Sequence, residues 1–414
     1  MAQTFKNIGI VGAGTMGGGI AMAFANAGFA VTLVDAQQAA LDRGMLRIST
    51  TYTEAFQRGK IDSDTAAQRL ARISPSTVLA DLARCDFVIE AVFEDLKLKT
   101  SLAAQLGQVC DAATILASNT SSLDVNLLAQ ASARPDRYVG MHFFSPAHIM
   151  RLVEVVRGRD ASDDSVNRIV DLVKELGKVP VVCGVCFGFI GNRMAEPYLR
   201  EAEALLLEGA TPSQIDAVAQ SPEWLGMAMG PCRMMDLAGL DIGASIVAER
   251  AATTKLMDDA SYRALVRALT AQGHLGQKSG RGFYRYEGRN AIELPETIEL
   301  ARSLAQKHGI TQRSNITDEE ILQRLLYPLI NEGFELLREG VAFSSQDIDT
   351  VFTAGFGFPS ARGGPMAMAR AIGLDKIAAQ MQAFARQRGN TYGYWTPSPL
   401  LVTLADQAAL LKKV

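Results

Sequence analysis

The chain has no run of 18 or more consecutive apolar residues, so no membrane-spanning helix is expected. It has no excess of one charge either. Its 41 basic residues stand against 44 acidic ones, which removes the electrostatic footprint of a nucleic-acid binder. A small basic patch for a phosphorylated substrate remains compatible with that balance. Cysteine is scarce and odd in number, at positions 85, 110, 183, 186 and 232, and makes no disulfide framework. Cys183-Gly-Val-Cys186 spells C-x-x-C, but no second ligand pair accompanies it. Two packed, reduced thiols are expected there, and no metal. No signal segment is expected, because the first strand reads as beginning by Ile8, and the C-terminal Leu411-Lys412-Lys413-Val414 does not read as a peroxisomal address. These absences point to a cytoplasmic protein.

What is present begins with glycine. Residues 7–11 read as a buried strand, Gly12-Ala-Gly14-Thr15-Met16-Gly17 turns into an Ala-rich helix to about Ala27, and 30–34 form the next strand, ending at Asp35. A strand–turn–helix–strand unit is the context that gives G-x-G-x-x-G its meaning. Gly12 permits the tight turn, Gly14 lets the backbone approach a pyrophosphate, and Gly17 allows close helix–strand packing. The phosphates would sit on the helix N-terminus around Thr15 and Met16. Asp35 would accept hydrogen bonds from the adenosine ribose and repel a 2′-phosphate, so the expected cofactor is NAD.

With 414 residues, two or three domains are expected. Apolar runs at 87–92, 114–117, 138–144, 153–156 and 179–182, with a helix over 163–176, extend the α/β rhythm. The fold class is thus α/β: a Rossmann-like, doubly wound domain over 1–185, then two tandem, mostly helical domains. The first covers 186–286, a linker runs over 287–300, and the second covers 301–414. The helical domains look like an internal duplication. Asn192-Arg-Met-Ala-Glu-Pro197 parallels Gln323-Arg-Leu-Leu-Tyr-Pro328, Gly230-Pro231 parallels Gly364-Pro365, and Gly239-Leu-Asp241 parallels Gly373-Leu-Asp375. Gln323 stands where the first copy has Asn192, which assigns the second copy to scaffolding.

Oxidising a secondary alcohol requires a base for the hydroxyl proton, and histidine suits that task. His142 ends an apolar strand at the carboxyl edge of the sheet, and Glu154, twelve residues on, begins the next. A short loop would return Glu154 to the imidazole, fixing its tautomer and stabilising its cation. Taken alone, a histidine beside Phe143 and Phe144 is more often a satisfied core residue than a functional one. Ser118-Asn119-Thr120-Ser121-Ser122 also follows a strand. Ser121 could polarise a substrate oxygen while Thr120 or Ser122 caps the next helix.

In combination these segments resemble the L-3-hydroxyacyl-CoA dehydrogenase family over essentially the whole chain. The resemblance is carried by Gly12-x-Gly14-x-x-Gly17, Glu90-Ala-Val-Phe-Glu94-Asp-Leu-Lys97-Leu-Lys99, Ser118-Asn-Thr-Ser-Ser122, His142-Phe-Phe-Ser-Pro146, Gly188-Phe-Ile-Gly-Asn192-Arg193 and Gly276-Gln-Lys278-Ser-Gly-Arg-Gly. The duplicated part is similar to the dehydrogenase portion of multifunctional fatty-acid oxidation enzymes, without a hydratase/isomerase domain. The resemblance implies NAD-dependent, reversible oxidation of (S)-3-hydroxyacyl-CoA to 3-oxoacyl-CoA in fatty-acid β-oxidation. It makes His142 the base, Glu154 its partner, Ser121 and Asn192 substrate contacts, and Glu94, Lys99, Asn119, Ser145 and Lys278 cofactor neighbours. Arg58 and Lys60 could pair with the coenzyme A phosphates or form a solvated helix end. A monomer or a weaker association is favoured, the second copy replacing a dimer partner, with a separate enoyl-CoA hydratase and thiolase as pathway partners. Two departures stand out: Ser145 replaces the family's asparagine, and Val185 and Phe187 replace an acid and a proline. Two alternatives remain. One is a dehydrogenase of a hydroxy acid or sugar acid without coenzyme A, and the other is a catalytically weakened nucleotide-binding scaffold.

Overall fold

The computed structural model describes residues 5–253 and 259–411, so Lys412, Lys413 and Val414 of the C-terminal tetrapeptide lie outside the described residues. The chain divides into two compact units, Met1–Asn192 with Gly340–Gly355, and Arg193–Glu339 with Phe356–Val414.

The first unit is built on an eight-stranded sheet. Its strands are β1 (Asn7–Val11), β2 (Ala30–Val34), β3 (Ile73–Ser76), β4 (Phe87–Glu90), β5 (Ile115–Ser118), β6 (Tyr138–Phe143), β7 (Leu152–Val156) and β8 (Val179–Cys183). They lie in the order β3-β2-β1-β4-β5-β6-β7-β8. Neighbours are parallel except β6 and β7, which pair antiparallel. Strands β4 to β7 are buried throughout, as expected of apolar runs covered on both faces. Helices Thr15–Asn26 and Asp163–Glu175 contribute Ile20, Phe24, Ile169 and Leu172 to the core on this sheet. The order reverses at β1, which lies between β2 and β4, so a ligand crevice opens at their carboxyl ends.

Strand β3 was not expected, because Ile-Ser-Pro-Ser carries a proline and little apolar content. A proline is tolerated there because β3 is the sheet's edge. Helix Ser345–Gly355 packs against β7 and β8 in this same unit, far along the chain from them.

The second unit is largely helical. Helices Gly191–Glu208 and Asp318–Arg338 each carry an internal proline, Pro197 and Pro328. Pro231–Ala238 and Pro365–Ile372 each start after a glycine. They end at Gly239 (φ 102°, ψ 121°) and Gly373 (φ 103°, ψ 123°) respectively. The paired sequence segments therefore recur as helices with matching ends. The stretch 287–300, read as a linker, is ordered instead. Asn290–Glu293 pairs antiparallel with Tyr284–Glu287 across a turn where Gly288 takes φ 62°, and helix Pro295–Lys307 follows directly. Among the described residues, no helix is long and apolar enough to cross a membrane.

Candidate active site

At the glycine turn, Gly12 adopts φ 102°, and a Cβ there would lie 2.8 Å from the Ala91 carbonyl oxygen. At Gly17 a Cβ would stand 1.8 Å from the Gly12 carbonyl oxygen, so both positions require glycine. At Gly14 a Cβ would meet nothing within 4 Å, which leaves the approach to the helix open. Helix Thr15–Asn26 has no side-chain cap at its N-terminus, where Thr15 is exposed and Met16 half-buried. An open, uncapped helix start fits a pyrophosphate. Asp35 follows β2, with one carboxylate oxygen 2.9 Å from the Ala13 N–H and the other 3.0 Å from the Gln37 N–H. It thus ties the turn to β2, and each oxygen retains a lone pair for a ribose hydroxyl. These residues fit the adenosine half of NAD.

The next carboxyl edge is crowded with polar groups. Lys99, fully buried, donates to both oxygens of Glu90 (3.0 and 3.1 Å), to the Asn119 carbonyl (2.8 Å) and towards Glu94 (3.3 Å). Glu94 Oε1 accepts from the Thr120 hydroxyl (2.6 Å), the Ser121 N–H (2.7 Å) and the Ser121 hydroxyl (3.2 Å). Burial alone would push the Glu94 carboxyl up, but Lys99, Thr120 and Ser121 together hold it below the usual carboxylate range. Neither Thr120 nor Ser122 caps the following helix. Asp124 does, accepting from the Asn126 N–H, because it stands immediately before helix Val125–Ala131. Thr120 instead accepts from the Leu123 N–H and closes a turn that presents Ser121.

The antiparallel β6–β7 pairing sets His142 opposite Glu154. His142 Nδ1 lies 2.6 Å from Glu154 Oε2, with the imidazole 7% exposed and the carboxylate fully buried. Glu154 Oε1 accepts from the Ile190 N–H (3.0 Å) and the Gly191 N–H (2.9 Å), where helix Gly191–Glu208 begins. One carboxylate therefore orients the histidine and also caps the helix that carries Asn192. Phe144 and Phe189 flank the imidazole, at centroid distances of 4.3 and 5.8 Å. Asn119 joins this strand to the previous loop, its Oδ1 accepting the Phe143 N–H at 3.1 Å.

The loop entering that helix contains Val185 and Phe187. Its start is pinned by pairing with distant backbone: the Gly184 N–H donates to the Val341 carbonyl at 2.8 Å, and Cys183 bridges Ala342. The C-x-x-C pair belongs to this loop. Burial pushes the Cys183 thiol well up, and the Cys186 sulfur lies 3.4 Å from the Phe189 carbonyl. Among the described residues no group of three or more His, Cys, Asp or Glu could hold a metal ion.

The remaining sequence candidates fall elsewhere. Ser145 is exposed just beyond β6, before a cis peptide bond to Pro146. Arg58 and Lys60 are exposed after helix Gln38–Gln57, with Arg58 paired to Glu54 at 3.0 Å. Lys278 belongs to the second unit, where Asp241 holds it at 2.5 Å. Two supporting residues escaped sequence reasoning. Glu90 is one, signalled only by an acid ending an apolar strand. The other is Lys178, whose ammonium holds the Ala147 carbonyl (2.7 Å) and the Met150 carbonyl in the loop between β6 and β7.

Comparison with known proteins identifies two matching family models. One is described as 3-hydroxyacyl-CoA dehydrogenase, NAD binding domain, and matches residues 7–186. The other, 3-hydroxyacyl-CoA dehydrogenase, C-terminal domain, matches residues 188–286 and 321–414. The peroxisomal bifunctional enzyme of Danio rerio is 40% identical over 98% of this chain and 57% of its own length. The chain thus spans little more than half the length of the curated relatives it matches. The structure of 3-hydroxybutyryl-CoA dehydrogenase from Escherichia coli K12 superposes with a TM-score of 0.85 at 29% identity, covering 98% of this chain and 99% of that one. The (S)-3-hydroxybutyryl-CoA dehydrogenase of Ralstonia eutropha is 37% identical over 68% of this chain and 99% of its own, with a TM-score of 0.63.

Proposed function

Because the chain belongs to the 3-hydroxyacyl-CoA dehydrogenase family, we propose that it interconverts (S)-3-hydroxyacyl-CoA and 3-oxoacyl-CoA with NAD. The observation that carries this reading is the His142–Glu154 pair on adjacent antiparallel strands at the crevice edge, with Glu154 also capping the helix of Asn192. With Nδ1 committed to Glu154, the other ring nitrogen, Nε2, is the one available as a base. It takes the proton of the 3-hydroxyl as the carbon is oxidised, and Glu154 stabilises the imidazolium that forms. Bound NAD supplies the hydride acceptor. The Asn192 amide donates to a substrate oxygen, and the Ser121 hydroxyl does so by turning its one proton away from Glu94 Oε1, which still holds Ser121 through the backbone N–H. The substrate comes from hydration of an enoyl-CoA, and the product suits thiolytic cleavage.

The test is NADH consumption by pure protein over a chain-length series of 3-oxoacyl-CoA substrates, starting with acetoacetyl-CoA. Turnover should be inhibited by free coenzyme A. His142→Gln should lower kcat by about a thousandfold or more without loss of NADH binding. No turnover at any chain length, with NADH still bound, would sink the proposal. We also infer a monomer in which the two helical repeats serve as each other's partner.

A further inference from the structure

Beneath the loop that presents Ser121 lies a buried ionic pair. Glu90 closes β4 and Lys99 lies on helix Leu96–Val109, and both are fully buried. The Ser118 hydroxyl donates to Glu90 Oε1, and the Val92 N–H donates to Oε2 at 3.1 Å. Glu90 is thus held by two strand ends while it receives both short contacts from Lys99. Burying two charges is expensive, and an apolar pair of similar volume often packs as well or better. An arrangement that only stabilised the sheet would not need them. What the ammonium adds is reach: it donates to the Asn119 carbonyl and lies 3.3 Å from Glu94. Asn119 in turn binds the backbone beside His142, and Glu94 binds Ser121.

We propose that Glu90 is a positioning residue of the reaction centre, fixing the Lys99 ammonium so that Glu94, Ser121 and Asn119 are held in register at the cofactor crevice. Glu90 acts through Lys99 and does not touch the reactants. Losing its charge frees Lys99 to shift towards Glu94, and the loop moves with it.

The inference rests on the reaction proposed above only for its catalytic readout. The primary measurement is therefore the NADH dissociation constant of the full chain, read by fluorescence. Glu90→Gln keeps the shape and removes the charge. It should raise that constant at least tenfold and lower kcat at least tenfold, with KM for acetoacetyl-CoA within twofold of the parent. An NADH constant within twofold of the parent overturns the proposal. A lower binding capacity with an unchanged constant does so too, because that reports only lost folded protein. Should Glu90→Gln fail to fold, Glu90→Asp keeps the buried charge but withdraws it by one methylene. It should raise the constant severalfold, and parental binding again overturns the proposal. A parent that binds NADH yet turns over no 3-oxoacyl-CoA defeats the reaction reading, and the binding comparison still decides Glu90.

Discussion

Two oxygens of one carboxylate carry separable tasks at Glu154: Oε2 faces the His142 imidazole, and Oε1 caps the helix that holds Asn192. Substitutions should therefore dissect them. Glu154→Gln can present its carbonyl to the Ile190 and Gly191 N–H groups but offers an amide to the histidine, selecting the wrong tautomer. Its kcat should fall by about 10²- to 10⁴-fold with substrate KM little changed. Glu154→Ala also strands two buried N–H groups, so KM should rise and stability fall by about 1–3 kcal/mol. Steady-state kinetics with urea titration separates the cases, and equal KM in both variants would refute the dual role. At this scale the sequence was partly legible. The spacing of His142 and Glu154 matched a strand pair with a short return. Glu90 was not legible, because Lys99 and Ser118 meet it only across two strands and a helix.

Among elements, the glycine turn, the strands and helix Gly191–Glu208 were readable because periodicity and turn chemistry are local. The edge strand at Ile73 was not, because its proline and serines fit a strand only at a sheet margin. The 287–300 stretch misled for a related reason. Polar residues with glycine suit a tight hairpin turn as well as a linker. In the second unit, the segment 283–286, which follows the turn that carries Lys278, is clamped by two buried carboxylates. Asp236 accepts from the Phe283 and Tyr284 N–H groups and the Tyr286 hydroxyl, while Asp216 accepts from the Cys232 and Arg233 N–H groups and the Tyr284 hydroxyl. Burial outweighs those donors and pushes both carboxyls up to about 6. An acid whose pKa is raised by folding binds more protons in the native state between the two values. Its contribution is thus fully present below about 4 and is lost as pH climbs through about 6. Each group accounts for about 1–3 kcal/mol by this route. Urea titrations should show Asp216→Asn gaining stability relative to the parent between pH 4 and pH 7. A difference that stays constant over that range would contradict the raised value.

Across the whole molecule, the repeats meet through charge. Arg324 of helix Asp318–Arg338 is fully buried and donates to Glu201 (2.9 Å) and Glu208 (2.9 and 3.0 Å) of helix Gly191–Glu208. Arg193 reaches Glu332 (2.6 Å) in return. Gly333 lets the backbone pass close to Met194, where a Cβ would lie 3.0 Å from its methyl group. Each repeat thus occupies surface on the other. Light scattering should give the mass of one chain at micromolar concentration, and a stable dimer there would remove the reading of the second repeat as an internal partner. The two helices with matching ends were legible in aligned glycines and prolines. The chain path was not, since nothing local in Ser345–Gly355 says that it leaves its own repeat to lie on β7 and β8.

That excursion of Ser345–Gly355 has a consequence in time. Strands β6 and β7, which bring His142 to Glu154, are synthesised early, but the helix that backs β7 and the backbone that pairs with Gly184 follow only with residues 340–355. At ribosomal speeds this delay is about ten to forty seconds. Until then β7 lacks the helix that packs on it, and the Gly184 N–H lacks its partner carbonyl. A chain stopped before residue 340 would keep the pairing that sets His142 opposite Glu154 and lack the helix that packs behind it.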